Sequence, residues 1–301
     1  DYPLVMGHEI AGTVSAVVSD ECSFDIGQRM AIFPLLPWFM CVSCKVKKYA
    51  LCRDYSYYGS RRDGGFSTHL SVRRWNLMKL PDEVSMDDAA LVEPTAVVLH
   101  AIRKLKLSPN SREVCVIGAG FLGLLAVMYI RHKFPDCAIT LIDRNDYKLA
   151  VVSDVGVTGV MLNGDDVWAN YVDAKGSTFS KVIEFVGNPD TFRRSIELCE
   201  QGGMIVWVGN ISDDLVLPKA MVSAVLRKEL SVFGSWNSFY KGELQCDWQD
   251  AIDLMVEGFR PSKLVTTRIS MDELQHNLQR LHNHKMRKSE FKTIKVMVET
   301  H

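Results

Sequence analysis

The spacing of apolar residues divides the chain into three textures. Through the first ninety or so residues, short alternating runs such as EIAGTVSAVV and GGFSTHLSV are broken by glycines. Alternation with period two puts apolar side chains on one face of a strand, so this stretch predicts a small all-β domain. From Glu113 onward six aliphatic runs follow one another: EVCVIG, AITLID, GVML, KVIEFVG, GMIVWVG and LSVFG. They are separated mostly by helix-length segments. Strands apolar on both faces and joined by such crossovers predict an α/β fold, a doubly wound parallel sheet with helices on both sides. Beyond Trp236, DWQDAIDLMVEGF has apolar residues at helical spacing, SMDELQHNLQRLH opens with a Ser/Asp/Glu start signal, and TIKVMVE reads as a closing strand.

The first buried run leads into a glycine turn. Residues 114–143, VCVIGAGFLGLLAVMYIRHKFPDCAITLID, read as strand, turn, helix and a second strand ending at Asp143. Gly118, Gly120 and Gly123 supply G-x-G-x-x-G in that context, and Phe121 and Leu122 open the helix. One glycine permits the tight turn, one lets the backbone approach a pyrophosphate, and one lets helix pack on strand. The phosphates then meet the positive end of the helix. Asp143 stands 20 residues after Gly123, where a carboxylate can take ribose hydroxyls. Its charge repels a 2′-phosphate and favours NAD over NADP; Arg144 beside it can stack on adenine or meet a phosphate. Val186 and Gly187, and Gly209 after MIVWV, are expected to wall the nicotinamide half of the same crevice.

Composition narrows the function classes. A chain of 301 residues with 47% hydrophobic content is long enough for two domains with their own cores. The net charge of −1 is scattered, which excludes an electrostatic footprint for nucleic acid or an anionic membrane. The densest basic stretch, RLHNHKMRK from Arg280 to Lys288, reads as a solvated helix end. No apolar run approaches the roughly 20 residues of a membrane span and nothing at the start reads as a signal peptide, so a cytosolic address is expected. Of the eight cysteines, Cys22, Cys115, Cys137, Cys199 and Cys246 are scattered and expected to be ordinary core or surface residues. Cys41, Cys44 and Cys52 instead form C-x2-C-x7-C, the way thiolates are presented to a structural metal. A closed zinc site takes four ligands. One interval before Cys41 stands Trp38.

Three features precede the glycine turn: GHE at Gly7 to Glu9, the cysteine cluster, and VEPTAVVLHA from Val92. In that order they resemble the zinc-dependent medium-chain dehydrogenase/reductase superfamily over nearly the whole chain. PLLPWFMC, GSRRDGGF and LRKELSVFGSW are most similar to its galactitol-1-phosphate 5-dehydrogenase branch, with sorbitol and other polyol dehydrogenases next. The resemblance implies a partial GroES-like catalytic domain over residues 1–95, a Rossmann NAD-binding domain over 96–235, and a segment 236–301 that returns to the catalytic domain. It implies His8 and Glu93 as ligands of a catalytic zinc and Glu9 as an occasional or alternating one. Taken singly, a histidine is usually a structural hydrogen bonder, and Glu-Pro often only opens a helix. The family's cysteine ligand belongs to a segment expected upstream of Asp1, so the chain is expected to be truncated and to bind that zinc abnormally. The family's structural zinc loop is C-x2-C-x2-C-x7-C, matched here at its last three positions. Two readings stay open: a lost or weakened site with Trp38 packed against the loop, or three thiolates completed by water or a neighbouring side chain.

The implied activity is oxidation of a secondary alcohol of a polyol or polyol phosphate, of the galactitol 1-phosphate to tagatose 6-phosphate type, with hydride passed to NAD. Arg61 and Arg62 are candidates for gripping a phosphate, although adjacent residues of a strand point to opposite faces and at most one should reach it. The bland reading of this pair is a solvated turn. Alternatives are another zinc polyol or threonine-type dehydrogenase, a metal-free quinone or enone reductase, and an inactive NAD-binding chain. A homodimer or homotetramer is expected.

Overall fold

The computed structural model describes residues 3–18, 24–162, 164–175, 179–242, 246–285 and 292–300; Cys22 and the Met286–Lys288 end of the basic stretch lie outside them. The chain divides into two units, Asp1–Val97 with Ser238–His301, and Val98–Asn237.

In the first unit the alternating runs give short strands: β1 (Ile10–Thr13), β2 (Arg29–Ile32), β3 (Leu35–Leu36), β4 (Ser56–Tyr57) and β5 (Leu77–Lys79). β1, β2 and β5 form one antiparallel sheet in that order, and β3 pairs with β4. Two helices accompany them, α1 (Val42–Lys45) and α2 (Met86–Ala90), and α3 (Val92–Lys104) begins here and ends in the second unit. GGFSTHLSV, expected as a strand, joins no ladder. Its main chain crosses the start of the chain instead, where Gly64, Gly65 and Phe66 donate to the carbonyls of Val5, Gly7 and Met6 at 2.8, 2.8 and 2.9 Å. The approach is close enough that a Cβ on Gly64 would stand 2.2 Å from the Gly7 oxygen. Alternation alone does not report such a crossing, because the glycines that permit it carry no side chain to pattern.

Beneath these strands, Phe33 stacks on Tyr240 with centroids 4.1 Å apart and meets Trp248 and Trp75 edge-on at 5.2 and 5.7 Å. Aromatic pairs of this kind contribute about 0.5–1.5 kcal/mol each beyond their area burial. Asn76, fully buried, donates its amide to the carbonyls of Phe33 and Leu35 at 2.6 and 2.8 Å and so ties the end of β2 to β3.

The second unit contains β6 (Glu113–Ile117), α4 (Phe121–Lys133), β7 (Ala138–Asp143), α5 (Asp146–Ala150), β8 (Thr158–Met161), α6 (Asp165–Lys175), β9 (Phe179–Glu184), α7 (Pro189–Leu198), β10 (Cys199–Trp207), α8 (Lys219–Arg227) and β11 (Ser231–Gly234). All six aliphatic runs enter one parallel sheet in the order β11-β10-β9-β6-β7-β8, the doubly wound arrangement the pattern predicts. Cys115, Ile117, Phe179, Val182, Leu198, Cys199 and Ile205 are buried in one core cluster, where each large apolar side chain contributes about 1.5–3 kcal/mol. Strand order reverses between β6 and β9, and in open α/β sheets ligands bind outside the strand ends at such a point.

The remainder of the first unit is α9 (Asp247–Val256), β12 (Val265–Ser270), α10 (Leu274–Lys285) and β13 (Lys295–Glu299), with β12 and β13 parallel. α9 starts where its apolar spacing predicts. The expected start signal of SMDELQHNLQRLH is a capping box, in which Glu273 accepts from the Ser270 N–H at 2.9 Å. Among the described residues no helix is long and apolar enough to cross a membrane.

Candidate metal and dinucleotide sites

The crossing of Gly7 by the Gly64–Phe66 segment positions His8 and Glu9, and the first turn of α3 presents Glu93. One donor atom from each lies within 4.8 Å of the others. Tyr57 on β4 donates its hydroxyl to Glu93 Oε1 at 3.2 Å and meets the His8 ring edge-on at 5.8 Å. From β13, the Lys295 ammonium pairs with Glu9. Glu93 is only 7% exposed, and its carboxyl is pushed up to about 8, first by burial and then by the charge of Glu9; Lys295 and Tyr57 pull against the shift. His8 keeps an exposed edge, yet loss of hydration lowers its imidazole pKa; Glu9 opposes that and Lys295 adds to it. An imidazole that stays neutral keeps a lone pair for a metal. Two carboxylates that repel each other across a buried gap are relieved by a divalent cation, and one nitrogen with carboxylate oxygens is a zinc donor set. The residues present therefore fit a zinc ion. Tyr57 had no sequence signal beyond its place in the alternating tyrosines of YSYYG.

The cysteine loop fits less well. Cys41 precedes α1, Cys44 lies within it, and Cys52 follows a 3-10 turn at Tyr49–Leu51. Their sulfurs lie within 4.8 Å of one another, with Cys41 Sγ 3.4 Å from Cys44 Sγ. Hydrogen bonding, chiefly from the Cys44 backbone, draws the Cys41 thiol down to about 7, while burial pushes Cys44 up to about 12. Trp38 contributes only its main-chain N–H, donated to Cys52 Sγ at 3.3 Å; its half-exposed indole lies beside the Arg53 guanidinium, 5.7 Å from the ring centroid. Among the described residues no fourth histidine, cysteine or carboxylate joins the group. A closed four-ligand zinc does not fit this loop.

In the second unit, a cavity of about 460 Å³ opens beside the glycine turn, lined by Gly118, Gly120, Asp143, Arg144, Val186 and Trp168 among others. Gly118 has φ +103, a left-handed conformation that side chains rarely adopt, and a Cβ on Gly123 would stand 1.8 Å from the Gly118 oxygen. At Gly120, nothing lies within 4 Å of where a Cβ would be, which leaves room for a ligand against the backbone. The Asp143 carboxylate faces this cavity while accepting from the N–H groups of Ala119 and Asn145 at 2.7 and 3.0 Å. These features fit a dinucleotide. Phe121 and Leu122, half-buried at the start of α4, do not line the cavity, nor do Gly187 and Gly209. The last two pack together, since a Cβ on Gly209 would meet the Gly187 nitrogen at 2.1 Å. They set the spacing of the β9 and β10 ends.

Glu184, which sequence reasoning passed over, closes β9. It is fully buried, and its Oε1 accepts from the N–H groups of Val186 and Gly187 at 2.7 and 2.9 Å and from the Thr191 hydroxyl at 2.7 Å. Its Oε2 has no partner, and burial raises its pKa against those hydrogen bonds. The available signal was an acid inside the apolar run VIEFV.

The two arginines part company. Arg61 donates to the Tyr55 carbonyl at 2.6 Å with its guanidinium 3.9 Å from the Tyr55 ring centroid. Arg62 lies 5.3 Å from the Tyr58 ring centroid and lines a cavity of about 570 Å³ with His69 and Arg73.

Residues 1–82 match the alcohol dehydrogenase GroES-like domain family, and residues 122–257 match the zinc-binding dehydrogenase family. Galactitol 1-phosphate 5-dehydrogenase of Escherichia coli K12 is 34% identical over 259 residues, covering 85% of this chain and 74% of its own. The crystal structure of galactitol-1-phosphate dehydrogenase from Escherichia coli superposes with a TM-score of 0.82 at 30% identity, over 94% of this chain and 82% of its own. 2R,3R-butanediol dehydrogenase from Bacillus subtilis does so with a TM-score of 0.81 at 27% identity, over 99% and 81%. Sheet order, glycine turn, metal donors and these likenesses agree: the chain belongs to the zinc-dependent medium-chain dehydrogenase/reductase family, as a zinc- and nicotinamide-dependent oxidoreductase.

Proposed function

We propose that the chain oxidises a secondary alcohol of a polyol phosphate of the galactitol 1-phosphate kind, with NAD as acceptor. The observation that carries this reading is the convergence of His8, Glu9 and Glu93 on one point. His8 and Glu93 would hold the zinc, with Glu9 joining when Lys295 releases it. A zinc ion there supplies Lewis acidity that lowers the pKa of a substrate hydroxyl, and NAD supplies the hydride acceptor. Tyr57 holds the Glu93 carboxylate in place. Asp143 takes the ribose hydroxyls, and its charge excludes a 2′-phosphate. Arg62, rather than Arg61, is the candidate to meet a substrate phosphate, because Arg62 lines a cavity while Arg61 is held on the Tyr55 carbonyl and ring. The similarity to galactitol 1-phosphate 5-dehydrogenase supports the phosphorylated substrate. Exposed Val216, Val222 and Leu226 in the second unit support a homo-oligomer.

NADH formation is measured on galactitol 1-phosphate and on galactitol. The phosphorylated polyol is expected to be turned over with the lower KM, His8→Ala and Glu93→Gln to abolish turnover, and Arg62→Ala to raise KM for the phosphate ester alone. Full activity in His8→Ala would overturn the metal-based reading. Equal KM for the two polyols would overturn the phosphate preference.

A further inference from the structure

The indoles of Trp207 and Trp248 are satisfied inside the protein, donating to the hydroxyls of Ser195 and Ser238, each at 2.9 Å. Trp168, in the first turn of α6 and only 7% exposed, finds no acceptor for its Nε1–H among the described residues. An indole nitrogen can only donate, and a buried donor left unmade costs stability. Packing into the core cluster that holds Ile142 and Leu162 would be served as well by a ring without an N–H. The Arg194 guanidinium, tied to Glu197 at 3.1 Å, lies 5.5 Å from the indole centroid and takes a face of the ring. The ring therefore has an edge to offer a ligand, and both Trp168 and Arg194 line the dinucleotide cavity.

The strand order fixes which part of a dinucleotide reaches that edge. Toward one side the sheet runs β6-β7-β8; the glycine turn follows β6, and Asp143 ends β7. With the pyrophosphate on the first and the ribose hydroxyls on the second, the base of the same nucleotide extends past β7 to the end of β8 and the start of α6. Leu162, Gly164 and Trp168 line the cavity there. The edge of an adenine remote from its ribose carries N1, a hydrogen-bond acceptor. We propose that the Trp168 indole N–H donates to adenine N1, which makes Trp168 a specificity-determining residue for the base of the cofactor. Arg194 is then a positioning residue that holds the plane of the indole. The proposal rests on the dinucleotide reading of this cavity and adds to it the group that recognises the base.

The test compares NADH with reduced nicotinamide hypoxanthine dinucleotide, whose N1 carries a hydrogen and cannot accept. Both ligands are titrated into the full chain and into Trp168→Phe, and binding is read from the fluorescence of the reduced nicotinamide. The wild type is expected to bind NADH about 10-fold more tightly than the hypoxanthine analogue. Trp168→Phe should weaken NADH alone and so erase the preference, a non-additivity that a packing role would not produce. A second reading needs no functional variant: in protein labelled with 15N-tryptophan, the indole proton signal that Trp168→Phe removes should move downfield with NADH and not with the analogue. The proposal is overturned by a wild type without preference, by a preference that survives Trp168→Phe, by equal weakening of both ligands, or by an indole signal that both ligands move alike. A wild type that binds neither dinucleotide would overturn the reading of the cavity itself, and the proposal with it.

Discussion

Glu93 is the residue whose protonation reports most directly on the proposed zinc. With its carboxyl pushed up to about 8 by burial and by Glu9, it is mostly protonated at neutral pH in the metal-free protein, while His8, its pKa lowered, is neutral. A cation between the donors requires the carboxylate, so zinc binding at pH 7 is expected to release about one proton, all of it from Glu93. Calorimetric titration of zinc in two buffers of different ionisation enthalpy measures that number. Glu93→Gln should bring it to zero, and proton release that survives the substitution would assign it elsewhere. The glycine turn separates two roles that a motif runs together. At Gly123 an added methyl meets the Gly118 oxygen at 1.8 Å, so Gly123→Ala is expected to destabilise the second unit by about 1–3 kcal/mol or more. At Gly120 it meets nothing, so Gly120→Ala should leave the melting temperature unchanged and weaken NADH binding by about 10-fold, or roughly 1.4 kcal/mol. Equal effects of the two on stability would refute the distinction.

At the scale of elements, the β9-to-α7 connection depends on a carboxylate. Glu184 gathers two backbone N–H groups and the Thr191 hydroxyl on one oxygen while its other oxygen stays unpartnered in the core. Burial raises its folded pKa above the ordinary value of 4.5. Its contribution is then fully present below the unfolded pKa and is lost as pH rises through the folded one, because the unfolded chain gives up the proton first. Glu184→Gln keeps an oxygen for the same donors and cannot ionise, so its melting temperature should gain on the wild type as pH rises from about 4 to about 8. A difference that stays flat over that range rules the carboxylate out as the source. This connection also marks where sequence reasoning reaches its limit. The six strands and the G-x-G-x-x-G turn were legible because each carries its pattern within its own short run, although the β6–β9 pairing joins residues far apart, such as Val114 and Lys181. His8 and Glu93 were legible only by their order along the chain, since nothing local distinguishes a ligand from a structural histidine. Tyr57 and Glu184 were not, as their roles are set by which side chain or loop the fold brings beside them. The missing fourth thiol was visible at Trp38, one interval before Cys41.

The two units of the whole molecule are unequal in how their chain is supplied. Every residue that lines the dinucleotide cavity lies between Ile117 and Arg194, inside the continuous unit Val98–Asn237. The unit with the metal donors is assembled from both ends. Phe33 packs on Tyr240 and Trp248, Ser262 donates to Asp88 at 3.0 Å, and Glu9 pairs with Lys295. Residues 1–97 alone would therefore expose the apolar faces of Phe33 and Trp75 and leave the Glu9 carboxylate without its ammonium. A fragment of residues 92–237, which keeps α3 intact, is expected to melt cooperatively and to bind NADH, with quenching of Trp168, whose ring lines the cavity. A fragment of residues 1–97 is expected to give no cooperative transition, and adding residues 238–301 in trans should not restore one, since loop-closure entropy no longer favours the pairing. Circular dichroism melts and tryptophan fluorescence decide both. If residues 1–97 melt cooperatively by themselves, the packing of the chain's two ends is dispensable and the metal donors are organised by residues 1–97 alone.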